Sequence, residues 1–287
     1  MNQLKIIALT LLVGFSGARD VARAEQPFDV ERDVEYVKLG EESLTCDLRV
    51  PRGQGPFPGV LCVHGGAWMA GSKEHMNHVA DRLAKEGYMA MSINYRLAPK
   101  HIFPAQIDDC RTALNWMRSQ SARLKLDVGH VGGFGYSAGA HLVSLLATAN
   151  AGVGMPDTRL QCLVAGGTPC DFRLMPAKWT ALAYWLGGTR EKKPEAYELA
   201  SPLKFVSADD PPAFFYHGES DLLVPRFSSQ IMASSLRRAG VEATLHMVPK
   251  AGHLEAFFNE EALNLAVAFL DKQLKAPAAK PEISPPP

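Results

Sequence analysis

Ser137 stands in Gly135-Tyr136-Ser137-Ala138-Gly139, a G-x-S-x-G pentapeptide. In that pattern a serine occupies a strained turn between a strand and a helix, which lifts its hydroxyl clear of a sheet. The two glycines are needed because a side chain at either place would collide with backbone in so tight a turn. A serine hydroxyl is a poor nucleophile until a base takes its proton, so the pentapeptide carries chemistry only with a base and an acid. His217-Gly218-Glu219-Ser220-Asp221 and Gly252-His253 supply both, in the order serine, acid, histidine. Asp221 would accept the Nδ1 proton of His253, fix its tautomer and stabilise the imidazolium formed as Ser137 attacks. Glu219 is the rival acid, and His217 and His246 are rival bases that fall inside strand patterns.

Attack on an ester builds negative charge on the carbonyl oxygen, which fixed backbone N–H groups can hold. His64-Gly65-Gly66-Ala67-Trp68 follows a strand-like run and supplies such a loop. The predicted donors are the amides of Gly66, Ala67 and Ala138, with His64 bracing the loop and Trp68, Tyr136 and Leu222 as pocket walls. Gly133 to Ala138 also satisfies G-x-G-x-x-A, a dinucleotide fingerprint. That motif belongs in the first βαβ unit with an acidic residue about 20 positions on. Several elements precede it here, and Asp157 lies in a Gly/Pro-rich stretch, so the cofactor reading fails. His75 and His78 lack the spacing of a zinc helix and read as a solvated face, and His141 as a packed helix residue. No metal follows from these residues.

The elements that must position this chemistry alternate between apolar, β-branched runs and helical periods, the order of a mostly parallel sheet wrapped by helices. Val34 to Leu39 and Leu44 to Val50 read as an antiparallel pair at the sheet edge. Strands follow at Pro58 to His64, Tyr88 to Asn94, His130 to Gly135, Leu160 to Ala165, Ala213 to His217 and Thr244 to Val248. Met76, Val79, Ala80, Leu83 and Ala84 recur at helical spacing with Gly87 after them as a C-cap. Ile107, Cys110, Leu114 and Met117 line one helix face. Ala138 to Ala149 and Glu260 to Leu274 are helices, the last capped by Asn259. Between Ala165 and Pro212 the pattern breaks, and Trp179, Tyr184, Trp185 and Leu186 read as an excursion over the sheet.

With 47% hydrophobic and 21% charged residues among 287, the chain can bury a sizeable core. Its 30 basic and 30 acidic residues leave no whole-molecule field for nucleic acid or an anionic membrane. Residues 1–24 read as a secretory signal: Lys5, an apolar run from Ile6 to Phe15 too short to span a bilayer, and Ala22-Arg23-Ala24 for cleavage. The expected product is a secreted or periplasmic protein without integral membrane association, with its catalytic domain over 25–274 and a Pro/Ala-rich disordered tail over 275–287. Five cysteines remain, an odd number. Cys62 and Cys110 fall on buried positions, while Cys162 and Cys170 are near enough in sequence to bridge.

In order along the chain, His64-Gly65-Gly66, Tyr95-Arg96-Leu97-Ala98-Pro99, Phe103-Pro104-Ala105, the serine pentapeptide, His217-Gly218 with Asp221, and Gly252-His253 resemble the α/β-hydrolase superfamily. The likeness is to its secreted carboxylesterases, the group of hormone-sensitive-lipase-like and bacterial feruloyl or acetyl-xylan-type esterases, and runs from about Tyr36 to Leu274. It implies an eight-stranded sheet, the Ser137–His253–Asp221 triad and no cofactor, with Arg96 paired to Asp108 or Asp109. Two departures matter. Ala67 replaces the third glycine of the oxyanion loop, and no long N-terminal helical cap precedes the sheet, so an open site is expected. The predicted reaction is hydrolysis of carboxylic esters, with acetyl or aromatic acyl esters of carbohydrates leading. The alternatives are an amidase resembling kynurenine formamidase, which shares the His-Gly-Gly-x-Trp loop, and a non-catalytic hydrolase-fold module that binds a partner.

Overall fold

Alternation within strands that are buried on both sides decides where the helices go. The computed structural model describes residues 26–149 and 159–275. Val60 and Cys62 of β3 (Phe57–Val63) face one side of the sheet, and Leu61 and Val63 face the other. On the first side they meet Met76, Val79, Ala80 and Leu83 at and within α1 (Asn77–Lys85). The second side is covered by α2 (Ala105–Ser119), where Ile107, Cys110, Leu114 and Met117 are all buried as their spacing predicts. A left-handed Gly87 ends the α1 turn, its N–H reaching Ala84 O at 3.1 Å and that of Tyr88 reaching Leu83 O at 3.0 Å.

Around β3 the sheet runs β1-β2-β4-β3-β5-β6-β7-β8, with β1 (Phe28–Leu39) and β2 (Glu42–Pro51) antiparallel at one edge. Strand β2 also meets β4 (Met89–Ile93) antiparallel; every later pair is parallel. Those later strands are β5 (Leu126–Tyr136), β6 (Cys162–Gly166), β7 (Ala213–Gly218) and β8 (Ala243–Val248). This is the predicted eight-stranded α/β architecture, with the edge hairpin where the sequence placed it. Strand β5 begins earlier than its apolar core suggests, because Leu126 and Asp127 pair with Phe57 and Pro58 before a register shift.

The remaining helices are α3 (Ser121–Leu124), α4 (Ala138–Thr148), α5 (Ala183–Leu186), α6 (Pro194–Leu199), α7 (Phe227–Arg238), α8 (His253–Phe257) and α9 (Glu260–Leu274). Asn259 caps α9 as predicted, its side chain accepting from Ala262 N at 2.8 Å. Helix α7 has no counterpart in the sequence reading. It buries Ser228 and Ser229 while Phe227 and Ile231 face solvent, so its period in hydrophobicity is blurred.

All five cysteines are buried free thiols, so Cys162 and Cys170, near enough in sequence to bridge, do not. Burial pushes the Cys46, Cys62 and Cys170 thiols up to about 12. Arg96 pairs with Asp109, at 2.7 Å from Nη2 to Oδ1 and 2.8 Å from its own backbone N–H to Oδ2, while Asp108 holds Arg111. Among the described residues, no helix is long and apolar enough to cross a membrane. The predicted signal, the Asp157 stretch and the C-terminal tail past Lys275 lie outside the described residues.

Candidate active site

Ser137 joins β5 to α4 with φ 55° and ψ −121°, a backbone state that a side chain tolerates only when its surroundings impose it. The imposition comes from close approach. A Cβ on Gly139 would lie 2.0 Å from Val63 O, and one on Gly135 2.3 Å from Gly139 O, so both glycines of the pentapeptide are fixed by space. Ser137 N–H donates to Gly166 O at 2.8 Å, which pins the turn against β6.

Gly65 lies against the same turn, where an added Cβ would come 3.0 Å from Tyr136 O and 3.1 Å from Ser137 Cβ. The loop beyond it is tight: Gly66 O accepts from Met69 N at 3.0 Å and Ala70 N at 2.9 Å, and Ala67 and Trp68 take φ of 51° and 60°. Three contacts hold these two left-handed residues. Tyr184 Oη–H donates to Ala67 O at 2.8 Å, Ala98 N–H to Trp68 O at 2.9 Å, and the Trp68 indole stacks on Trp185 at 3.6 Å. Among the described residues, the Gly66, Ala67 and Ala138 amides make no backbone hydrogen bond between elements; that of Ala138 belongs to the open first turn of α4. His64 braces the loop as predicted. It is buried, stacks on Tyr95 at 4.2 Å, and burial pushes its pKa down to about 4.

Across the sheet, the β7 and β8 loops meet so closely that a Cβ on Gly218 would lie 2.4 Å from Ala251 O. That contact brings Asp221 to His253. Asp221 Oδ2 is 2.6 Å from His253 Nδ1, and Oδ1 accepts from the Leu223 and Val224 amides at 2.9 Å each. The carboxylate is fully covered and the imidazole is nearly so. With Nδ1–H donating to Asp221, Nε2 of the neutral ring is left with its lone pair. Gly167, one residue beyond the acceptor of the Ser137 amide, has no side chain, and a Cβ there would come 3.0 Å from His253 Cε1. The ring therefore packs beside the serine turn. Among the described residues no hydrogen bond joins the Ser137 hydroxyl to it in this structure, a bond that in such sites often tightens only with substrate.

The rivals and walls settle differently. Glu219 is exposed, its carboxylate accepting from the Lys250 amide at 3.4 Å rather than from a histidine. His246 lies in β8. His141 is a packed helix residue as predicted, accepting from Trp68 Nε1–H at 3.1 Å and donating to Ala200 O at 2.6 Å. His78 is half-buried against Phe257 and Phe258, which corrects the solvated reading for that residue; His75 is exposed. The three residues read as pocket walls, each of which could equally be core, take different places. Trp68 is buried among His141, Phe172 and Trp185. Tyr136 is buried against His253 and Phe257, its hydroxyl donating to His253 O. Leu222 is 96% exposed. Sequence reasoning missed Tyr184 as the clasp of the Ala67 carbonyl, because 117 positions separate the two.

The BD-FAE family model matches residues 46–236, well over half of the chain and inclusive of Ser137 and Asp221. The chain belongs to the BD-FAE family. It shares the eight-stranded α/β-hydrolase fold. This BD-FAE chain is 33% identical over 205 residues to the probable carboxylic ester hydrolase LipM of Mycobacterium tuberculosis, covering 67% of this chain and 48% of LipM. It is 30% identical over 239 residues to esterase LipQ of the same organism, covering 77% and 56%. The chain thus spans about half the length of the curated relatives it matches. Among solved structures, a truncated carbohydrate esterase from gut microbiota superposes with TM-score 0.75 at 25% identity, covering 88% of this chain and 99% of that one. Est2 of Thermogutta terrifontis, at TM-score 0.74 and 22% identity over 88% and 95% of the two chains, shows the shared fold alone.

Proposed function

We propose that this BD-FAE chain is a serine carboxylesterase that hydrolyses carboxylic esters in two steps. The observation that carries the reading is the buried 2.6 Å contact of Asp221 with His253, packed beside a strained serine turn that the His64–Trp68 loop also touches. In the first step Ser137 Oγ bonds to the ester carbonyl carbon while its proton passes to His253 Nε2. The amides of Gly66, Ala67 and Ala138 hold the oxyanion, each worth about 3 kcal/mol. The imidazolium then gives that proton to the leaving alcohol, and the acyl group remains on Ser137. Water, deprotonated by the same ring, displaces the acyl group as a carboxylic acid and restores the serine. Asp221 stays ionised throughout and stabilises the imidazolium.

For the substrate class, the carbohydrate-esterase likeness and the exposed Ala67 beside the serine turn support acetyl or aromatic acyl esters of carbohydrates. An exported enzyme, with residues 25–274 as its catalytic unit, would meet such decorations outside the cell. The first test is turnover of p-nitrophenyl acetate by wild type and Ser137→Ala. The variant is expected to lose at least about 10³-fold in kcat, and wild-type rates in it would refute the mechanism. A panel of acetylated and feruloylated oligosaccharides set against N-formylkynurenine separates the ester from the amide reading. Labelling by a fluorophosphonate probe separates both from a non-catalytic module.

A further inference from the structure

His217 was read from the sequence as a strand residue, and it is one, but its ring reaches the acid. It lies in β7 with its side chain fully buried. Val224 O, a pure acceptor, sits 2.9 Å from its Nε2, so that nitrogen carries the proton. Nδ1 of the neutral ring is then an acceptor, and Ser229 Oγ of α7, also buried, donates to it at 2.7 Å. The tautomer is fixed from both ends. The same Nε2 is 3.2 Å from Asp221 Oδ2, the oxygen that holds His253. Its N–H is thus shared, chiefly with Val224 O and in part with the carboxylate.

We propose that His217 is a positioning residue for Asp221, set in turn by Ser229, in the ester hydrolysis proposed above, on which this inference rests. Asp221 Oδ1 is held by two backbone amides of the segment it begins, and those bonds leave the carboxylate free to tilt about them. The His217 N–H on Oδ2 removes that freedom. Val224 closes the ring of contacts, donating from its amide to Asp221 and accepting at its carbonyl from His217. A neutral donor suits the place better than a cation would. An arginine or lysine there would hold the carboxylate but cancel the charge that the His253 imidazolium needs. The charged and titratable groups facing His217 are Asp221 and His253, and its burial favours the neutral ring.

Three variants assayed with p-nitrophenyl acetate test this: His217→Leu, which removes the donor; His217→Gln, whose amide N–H reaches a similar place; and Ser229→Ala, which removes one of the two bonds that hold the ring and loosens its aim at Asp221. The expected result is a kcat lower by about 10- to 100-fold in the Leu variant with KM within about threefold, the usual cost of misplacing a catalytic group. The Gln variant should recover to within about fivefold of wild type, and fluorophosphonate labelling rates should follow kcat in each case. A folded Leu variant with wild-type kcat, or a Gln variant as poor as Leu, overturns the proposal. If the Leu variant does not fold, Ser229→Ala decides: a fall in kcat of at least about threefold supports the proposal, and no fall overturns it. Wild type and Ser137→Ala run alongside. Equal rates in those two would sink the esterase reading itself, whereas normal behaviour there with an unchanged His217→Leu sinks only the positioning role.

Discussion

Replacing Asp221 by Asn has an outcome that the surrounding donors dictate. Two backbone amides, of Leu223 and Val224, point at one carboxylate oxygen from 2.9 Å, so the oxygen of the new amide must stay with them. The NH2 group then faces His253 Nδ1, where a donor now stands in place of an acceptor. The imidazole answers by moving its proton to Nε2, the nitrogen meant to receive one from Ser137. Turning the amide around would restore the productive tautomer but leave two backbone donors facing a third. Two unpaired donors at about 1–3 kcal/mol each put that arrangement roughly 4 kcal/mol up. His217 Nε2–H, at 3.2 Å from the other oxygen, opposes the NH2 in the unproductive orientation and narrows the gap by about 1 kcal/mol. The remaining difference of roughly 3 kcal/mol corresponds to about 10²- to 10³-fold in kcat. Steady-state hydrolysis of p-nitrophenyl acetate near neutral pH reads it directly, with KM and the unfolding midpoint as controls. A folded Asn variant within tenfold of wild type would show that the tautomer argument, and with it the role given to Asp221, is wrong.

Tyr184→Phe removes the donor to Ala67 O, and loosening the oxyanion loop should cost about 1 kcal/mol of transition-state stabilisation, or roughly fivefold in kcat, at unchanged stability; an unaltered kcat would leave Tyr184 as surface packing. Arg96→Leu strands the buried Asp109 carboxylate, so about 3 kcal/mol of stability and roughly 6–12 °C of Tm should go, as calorimetry would show. His64 and His141 are both pushed down to about 4 by burial, so they stay neutral in the fold yet take up protons at about pH 6.5 once the chain unfolds. The stability they contribute is whole above about pH 6.5 and drains away as pH falls towards 4. Urea midpoints should therefore be lower at about pH 5 than at about pH 7, and equal midpoints would count against the two neutral rings.

The parts of this molecule that a sequence records well are those set by neighbours along the chain. Val60 to Val63 is apolar throughout because both sheet faces are covered, and Ile107, Cys110, Leu114 and Met117 repeat because one helix face is. The glycines at 135 and 139 mark a turn whose atoms lie within a few residues and one adjacent strand. Helix α7 escaped the same reasoning. The serines it buries answer distant partners, Ser228 the Cys170 amide and Ser229 the His217 ring, so polar residues occupy its inner face.

From the residues alone followed the α/β order of elements, the serine–acid–histidine succession and the loop that approaches the serine. Tertiary structure decided which side chains stand at the site. It turned Trp68 and Tyr136 inward, left Leu222 in solvent, and brought Tyr184 and His217 to the loop and the acid. Periodicity reports whether a position is covered, because burial imposes a pattern on consecutive residues. It carries no address for the partner that does the covering, since that partner is chosen by how separate strands and helices come to lie against one another.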